Sequence, residues 1–321
     1  MRPYKFKPFL KETIWGGDQL AAFKGVETAM TQIGESWELS GVKGHESVVV
    51  PNGVDETDVG LTLPALIEKY GSALVGEAVY ARFGVEFPLL VKFIDAKQDL
   101  SVQVHPDDAL AARRHGCRGK TEMWYILKTA PGAKIYAGLR KTLTPEDYAR
   151  LVTSEAQPNP IQDALATYES HPGDLYFLPA GRLHAIGAGN LLAEIQETSD
   201  ITYRVYDFGR RDANGNTREL HTDLAKDAID YTVLPDYRAS YDATKAEADL
   251  VRCEHFTVKR LTVDGETSLP SPGDTFVIVV CLDGAATVNG VAVRRGETLL
   301  VPAADNALSF VGTATFLTAT A

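Results

Sequence analysis

The 321-residue sequence predicts a mainly β protein, two tandem β-barrels with a few added helices. Short β-branched or aromatic stretches bounded by Gly, Pro and Asn dominate the chain, among them WELSG, FPLLVKFID, LSVQVHP, DLYFLPAG and DTFVIVVCLDG. Helical patterns come in separate blocks and do not alternate with the strands, which argues against βαβ units. An internal repeat supplies the third observation. Residues 171–186 (HPGDLYFLPAGRLHAI) and 294–310 (RRGETLLVPAADNALSF) share a Gly–acid–apolar–Pro–Ala frame, and each copy runs six residues from its Gly to its Pro. A turn, a strand and a second turn in both copies suggest two related units.

Taken in order, the helical blocks are residues 61–84, with apolar residues at helical spacing, and residues 106–115, which open with Pro-Asp-Asp. Residues 144–155 begin with a Thr N-cap and Pro at the first helical position, and residues 221–231 form a shorter candidate. Asp283-Gly284 and Asn289-Gly290 are hairpin-turn signals. The two repeats differ at one place. His184 follows Gly173 by eleven residues, whereas the residue eleven after Gly296 is Ala307, and no histidine follows His255. The expected division is a unit at 1–237 that carries chemistry and a C-terminal barrel at 238–321 that lacks metal ligands.

Lys plus Arg number 32 against 43 Asp plus Glu, a net charge of −11, which excludes the basic face a nucleic-acid partner needs. Three cysteines without a CxxC suit a reducing compartment. The first residues lack the apolar core of a signal peptide. The longest apolar run, Phe276 to Leu282, falls far short of the ~20 residues of a membrane helix. A soluble, cytoplasmic protein with no membrane partner is expected.

Strict alternation puts Ser101, Gln103 and His105 on one face of a strand, with Leu100, Val102 and Val104 on the other. Glu122 opens the apolar strand EMWYIL, and His184 follows a Pro-Ala-Gly turn. Two imidazoles, a carboxylate and an amide oxygen suit a borderline divalent metal; the set leans to Zn²⁺, with Mn²⁺, Fe²⁺ and Co²⁺ as alternatives. Taken singly, His105 and Glu122 read as easily as surface residues at strand ends.

Gly173-x5-Pro179-x-Gly181-x2-His184, followed by Asn190, is close to the second cupin motif, whose histidine ligates metal. The first motif departs from the usual pattern, since Glu122 follows Gln103-x-His105 only after a long insertion. Gln-x-His-Pro-Asp, Gly-Lys-Thr-Glu-Met-Trp, Pro-Ala-Gly-x-x-His and Tyr-Arg-Val-Tyr-Asp together resemble the class I mannose-6-phosphate isomerases in their short bacterial form. The likeness runs from Trp15-Gly16-Gly17 and Gly34-Glu35-Ser36-Trp37-Glu38 to the neighbourhood of Ala225. It implies cupin-type jelly-roll barrels, one Zn²⁺ per chain held by Gln103, His105, Glu122 and His184, and a sugar phosphate as substrate.

Alternation puts Thr202, Arg204 and Tyr206 on one strand face. By itself Arg204 reads as an edge arginine paired with Asp200 or Asp207; the resemblance makes it the catalytic arginine. Ser101, Lys92 and Arg204 are the candidates for holding the sugar phosphate. Aldose–ketose exchange moves a proton between C2 and C1 through a cis-enediol, and Glu194 and Lys120 are the candidate proton carriers. For Glu194, a polar strand face in water is an equal reading. Two competing functions share the barrel: an Fe²⁺-dependent cupin oxygenase, and a non-enzymatic sugar-binding cupin.

Overall fold

A computed structural model describes residues 1–212, 214–305 and 307–321. Three antiparallel sheets build it. A seven-stranded sheet runs, edge to edge, Arg238–Ala239, Leu175–Leu178, Glu122–Thr129, Asn190–Glu197, Leu89–Ala96, Phe9–Gly17, Ile33–Leu39. A five-stranded sheet runs Tyr203–Tyr206, Val102–Val104, His184–Ile186, Lys134–Leu139, Leu165–Glu169. The third, eight-stranded sheet carries the C-terminal strands, and Tyr4–Lys7 and Val48–Val50 from the N-terminus add to its edge beside Thr298–Val301. Arg238–Ala239, in turn, pairs with Leu175–Leu178, so sheet membership does not follow chain order.

The sheets stack as layers. One face of the seven-stranded sheet packs on the five-stranded sheet through Ile94, Trp124, Ile126, Leu192, Ile135 and Ile186. Its other face packs on the eight-stranded sheet through Val91, Phe93, Met123 and Ile195 against Val258, Ile278, Val280 and Leu317. This is why the strands Leu89–Ala96 and Asn190–Glu197 are buried at every residue, their polar side chains included. The helices Asp108–His115, Pro145–Val152 and Thr222–Ala228 contribute to the core behind the five-stranded sheet. Each sheet is an open run of strands among the described residues, so the expected barrels are sandwiches of facing open sheets. Stacking on both faces closes the cores without joining edge strands.

Local expectations meet three corrections. The block at 61–84 is not one helix but three, Leu63–Tyr70, Ser72–Val75 and Glu77–Phe83, broken at Gly71 and Gly76, both with positive φ. Asp283-Gly284 is not a hairpin turn; it lies inside the long strand Val277–Val288, where the register with the last strand shifts between Cys281 and Asp283. Asn289-Gly290 does form its turn, with positive φ at both residues. Finally, a bulge between Arg204 and Tyr206 breaks the alternation there. Thr202 and Arg204 face a cavity while Tyr206 joins the helix-side core. The repeat is real as structure: Gly173 and Gly296 both take positive φ, and each precedes a four-residue strand, Leu175–Leu178 and Thr298–Val301.

A buried ion pair ties two layers together. Lys24 Nζ donates to Glu38 Oε1 at 2.6 Å and to the Gly296 carbonyl, joining the N-terminal strands to the eight-stranded sheet. Removing one partner of a buried pair strands the other charge, at about 3–5 kcal/mol. Lys24→Met should therefore destabilise the protein by about 3 kcal/mol or more in denaturant unfolding, with part of that loss recovered in Lys24→Met/Glu38→Leu. A single variant as stable as wild type would remove this pair from the account of stability.

Candidate metal centre and active-site cavity

Strand register decides which side chains meet. On the inner face of the five-stranded sheet, Gln103 pairs with His184 on one side and Arg204 on the other, so the three lie in one row. On the facing sheet Glu194 pairs with both Trp124 and Lys92, and Gln196 pairs with Glu122. Lys92 in turn pairs with Trp37. The two rows face each other across the sandwich, and the polar residues occupy alternate positions whose neighbours belong to the other core.

His105, Glu122 and His184 are fully buried and present ligand atoms within 4.8 Å of one another. His105 Nδ1 lies 2.8 Å from the Ile201 carbonyl, and His184 Nδ1 lies 2.8 Å from that of Arg182. A carbonyl only accepts, so each Nδ1 carries the hydrogen and each Nε2 presents a lone pair inward. Glu122 Oε1 is 3.3 Å from His184 Nε2, and Oε2 is 3.6 Å from His105 Nε2. Gln103 Nε2 lies 3.3 Å from His184 Nε2, and a half-turn of that amide would offer its oxygen to the same point.

The donor set fits a divalent cation. Neither oxygen of Glu122 satisfies hydrogen-bond geometry despite complete burial, although Lys120 Nζ stands 2.8 Å from Oε2. An unsatisfied buried carboxylate between two inward lone pairs is what a cation would relieve. Burial pushes the Glu122 carboxyl up to about 7, against the pull of Lys120. Burial also holds His184 down to about 3 and His105 well below its usual value, so both imidazoles are neutral.

A cavity of about 500 Å³ opens beside this cluster. Ser101, Gln103, Lys92, Lys120, Glu194 and Arg204 all line it, so every substrate or proton-transfer candidate faces one space. Glu194 is buried, which rules out a solvated strand face. Trp124 Nε1–H donates to its Oε2 at 2.8 Å, and Lys92 Nζ lies 3.2 Å from Oε1. Burial opposes its ionisation, but Lys120 and Lys92 outweigh burial and lower its pKa. Burial likewise disfavours the Lys120 charge, yet Glu122 and Glu194 prevail and raise its pKa. Arg204 pairs with neither Asp200 nor Asp207: its Nη1 donates to the Glu219 carbonyl at 2.8 Å, and its buried Nε has no partner among the described residues. Asp207 is taken instead by Arg218 and Arg210.

Several lining residues have no place in the sequence reading of the site. Glu35 accepts from Trp37 Nε1 at 2.6 Å and approaches Lys92 at 3.8 Å, and Lys92 sits 4.9 Å from the Trp37 ring centre. Alternation in IGESWEL places Glu35 and Trp37 on one face, a signal that was there to be read. Arg218 and Asp212 reach the cavity from an irregular loop whose sequence has no period.

Two family models match the chain: the catalytic domain of phosphomannose isomerase type I over residues 4–125, and the mannose-6-phosphate isomerase cupin domain over 246–320. The mannose-6-phosphate isomerase ManA of Bacillus subtilis is 35% identical over 94% of this chain and 93% of its own length. The chain belongs to the mannose-6-phosphate isomerase family. A second relative, the mannose-6-phosphate isomerase of Streptococcus mutans, is 31% identical over 94% of this chain and 93% of its own. Among solved structures, that of the Bacillus subtilis mannose 6-phosphate isomerase superposes with a TM-score of 0.86 at 30% identity, covering 99% of both chains. The isomerase reading holds, against the oxygenase and sugar-binding alternatives.

One linkage follows from the cluster's protonation. In chelator-stripped protein Glu122 must lose a proton to bind an ion, whereas the two imidazoles are already neutral. Affinity for Zn²⁺ should fall as pH drops through about 7. Titration calorimetry at several pH values checks this, and an affinity that stays flat from pH 8 to 6 would contradict the assignment of Glu122.

Proposed function

We propose that the interconversion of mannose 6-phosphate and fructose 6-phosphate, the reaction of this family, takes place in the cavity between the two facing sheets. The observation that carries the reading is the convergence there of a cation-binding cluster, an acid–base pair and an unpartnered arginine. Gln103, His105, Glu122 and His184 would hold the ion. We take it to be Zn²⁺, one per chain, because imidazole and carboxylate ligands without thiolate suit it. When bound, the ion supplies Lewis acidity for the oxygens that become negative as the proton leaves carbon.

The remaining chemistry belongs to side chains. The Glu194 carboxylate is kept ionised by Lys92 and Lys120, and its Oε1 has no well-aligned hydrogen bond among the described residues, so it serves as the base that takes the proton from C2 and returns it to C1. Lys120 Nζ, charged and buried between Glu122 and Glu194, supplies a proton to a substrate oxygen. Arg204 is too basic to act as a base; its guanidinium offers fixed donors to the enediolate. Ser101, Lys92 and Arg204 receive the sugar phosphate, with Lys92 also keeping Glu194 ionised. Residues 1–237 carry this chemistry, and 238–321 support it. Among the described residues no helix is long and apolar enough to cross a membrane, and a cytoplasmic site of action remains the proposal.

Two outcomes test the reading in a coupled assay for fructose 6-phosphate. Chelation should abolish turnover and Zn²⁺ should restore it; activity surviving complete metal removal would sink the proposal. Arg204→Ala should keep metal and fold but lose turnover by about 100-fold or more, the loss typical of removing an oxyanion donor. Arg204→Lys should recover little, because one ammonium does not reproduce a planar fork of donors. Full turnover in Arg204→Ala would take the arginine out of the mechanism.

A further inference from the structure

His255 is the last histidine of the chain and lies on the connection between the C-terminal strands Glu247–Arg252 and Thr257–Pro270. Nothing in the reaction uses it. Its Nδ1 stands 3.0 Å from Glu197 Oε1, and Asp108 completes a trio whose ligand atoms lie within 4.8 Å of one another. Both carboxylates have a second attachment. Glu197 Oε2 accepts from the Thr121 backbone N–H at 2.7 Å, while the Glu197 N–H donates to the Thr121 carbonyl at 3.1 Å. Asp108 Oδ1 accepts from the Gly119 N–H at 2.7 Å. The residue between them, Lys120, donates its own N–H to the Pro106 carbonyl at 3.1 Å. There is no slack at this turn: a Cβ on Gly119 would lie 2.5 Å from the Asp108 nitrogen.

Three consecutive backbone N–H groups are thus gripped immediately before Glu122, two of them by carboxylates, of which Glu197 is paired with His255 and Asp108 lies beside that pair. We infer that His255 is a positioning residue for the isomerisation site, holding Glu197 on the Thr121 backbone beside the Asp108–Gly119 contact and so fixing Lys120 and Glu122. The C-terminal unit thereby reaches a site to which it contributes no ligand. The hydrogen bond to Glu197 raises the His255 pKa against the effect of burial, and a proton on the ring offsets one of the two carboxylate charges. His255 and Glu197 thus form an ion pair, 3.0 Å apart, next to Asp108. Without the ring, two like charges are left side by side, and the turn that aims Lys120 and Glu122 relaxes.

The inference rests on the roles given above to Lys120 and Glu122, and its test separates the two. Wild type, His255→Ala and His255→Asn are compared at a temperature well below unfolding for kcat, KM and the rate at which a chelator strips Zn²⁺. Asn keeps a donor near the Nδ1 position. His255→Ala should lower kcat and speed Zn²⁺ loss, each by about tenfold, with KM within about twofold. His255→Asn should recover most of both. A folded His255→Ala with wild-type kcat and wild-type Zn²⁺ release overturns the inference, even if its Tm falls, because interdomain glue alone would move only Tm. If His255→Ala does not fold, Glu197→Gln, which keeps an acceptor for Thr121, is read in the same way. Wild-type protein that holds no metal would instead defeat the reading of the site itself.

Discussion

Lys92, Lys120, Glu122 and Glu194 are each at most 6% exposed, yet they sit inside a β-sandwich. Any one of them alone would cost several kcal/mol to bury as an ion. They are tolerated because opposite signs alternate in space, with Lys92 3.2 Å from Glu194 and Lys120 2.8 Å from Glu122. Cross-strand register sets Glu194 opposite Lys92 across one pair of strands and Glu122 opposite Gln196 across another. A slip of one residue in any of these strands would turn the charges into the apolar core on the other face. The rest of the structure can be read as what keeps that register and keeps water from one side of it.

The eight-stranded sheet serves the second purpose. Its inner face covers Val91, Phe93, Met123 and Ile195, the residues that alternate with Lys92, Glu122 and Glu194. The central strands are thereby apolar on one face and ionised on the other, with both faces buried. Burial also sets the chemistry: it holds the imidazoles neutral and raises the Glu122 carboxyl, while two lysines keep Glu194 ionised. Two carboxylates lining one site thus have different protonation behaviour because their neighbours differ.

Labour is divided between the facing sheets. The seven-stranded sheet brings charge, Lys92, Glu122 and Glu194, and its strands are long and central. The five-stranded sheet brings Gln103, His184 and Arg204 in a row on short strands, of three or four residues each, that end at the cavity. The bulge after Arg204 sends two consecutive residues, Val205 and Tyr206, into the helix-side core, which strict alternation would forbid.

Much of this was legible in the sequence. Ser101-x-Gln103-x-His105 shares a face by alternation, the His184 turn repeats a frame found again at Gly296, and the N-cap at Thr144 is written in its Thr-Pro pair. These are local signals, carried by neighbours in the chain. The break-up of 61–84 was less legible, because Gly71 and Gly76 end helices only when positive φ is adopted there. Invisible altogether were the pairings of residues far apart: Gln103 with His184, Glu194 with Lys92 and Trp124, His255 with Glu197, and the N-terminal strands with the C-terminal sheet. The sequence by itself determined the residue types, the faces they share and the metal-binding chemistry they can support. Tertiary structure alone decided which faces meet, which charges neutralise one another and which carboxylate stays ionised, because burial and cross-strand register arise only when distant strands pack.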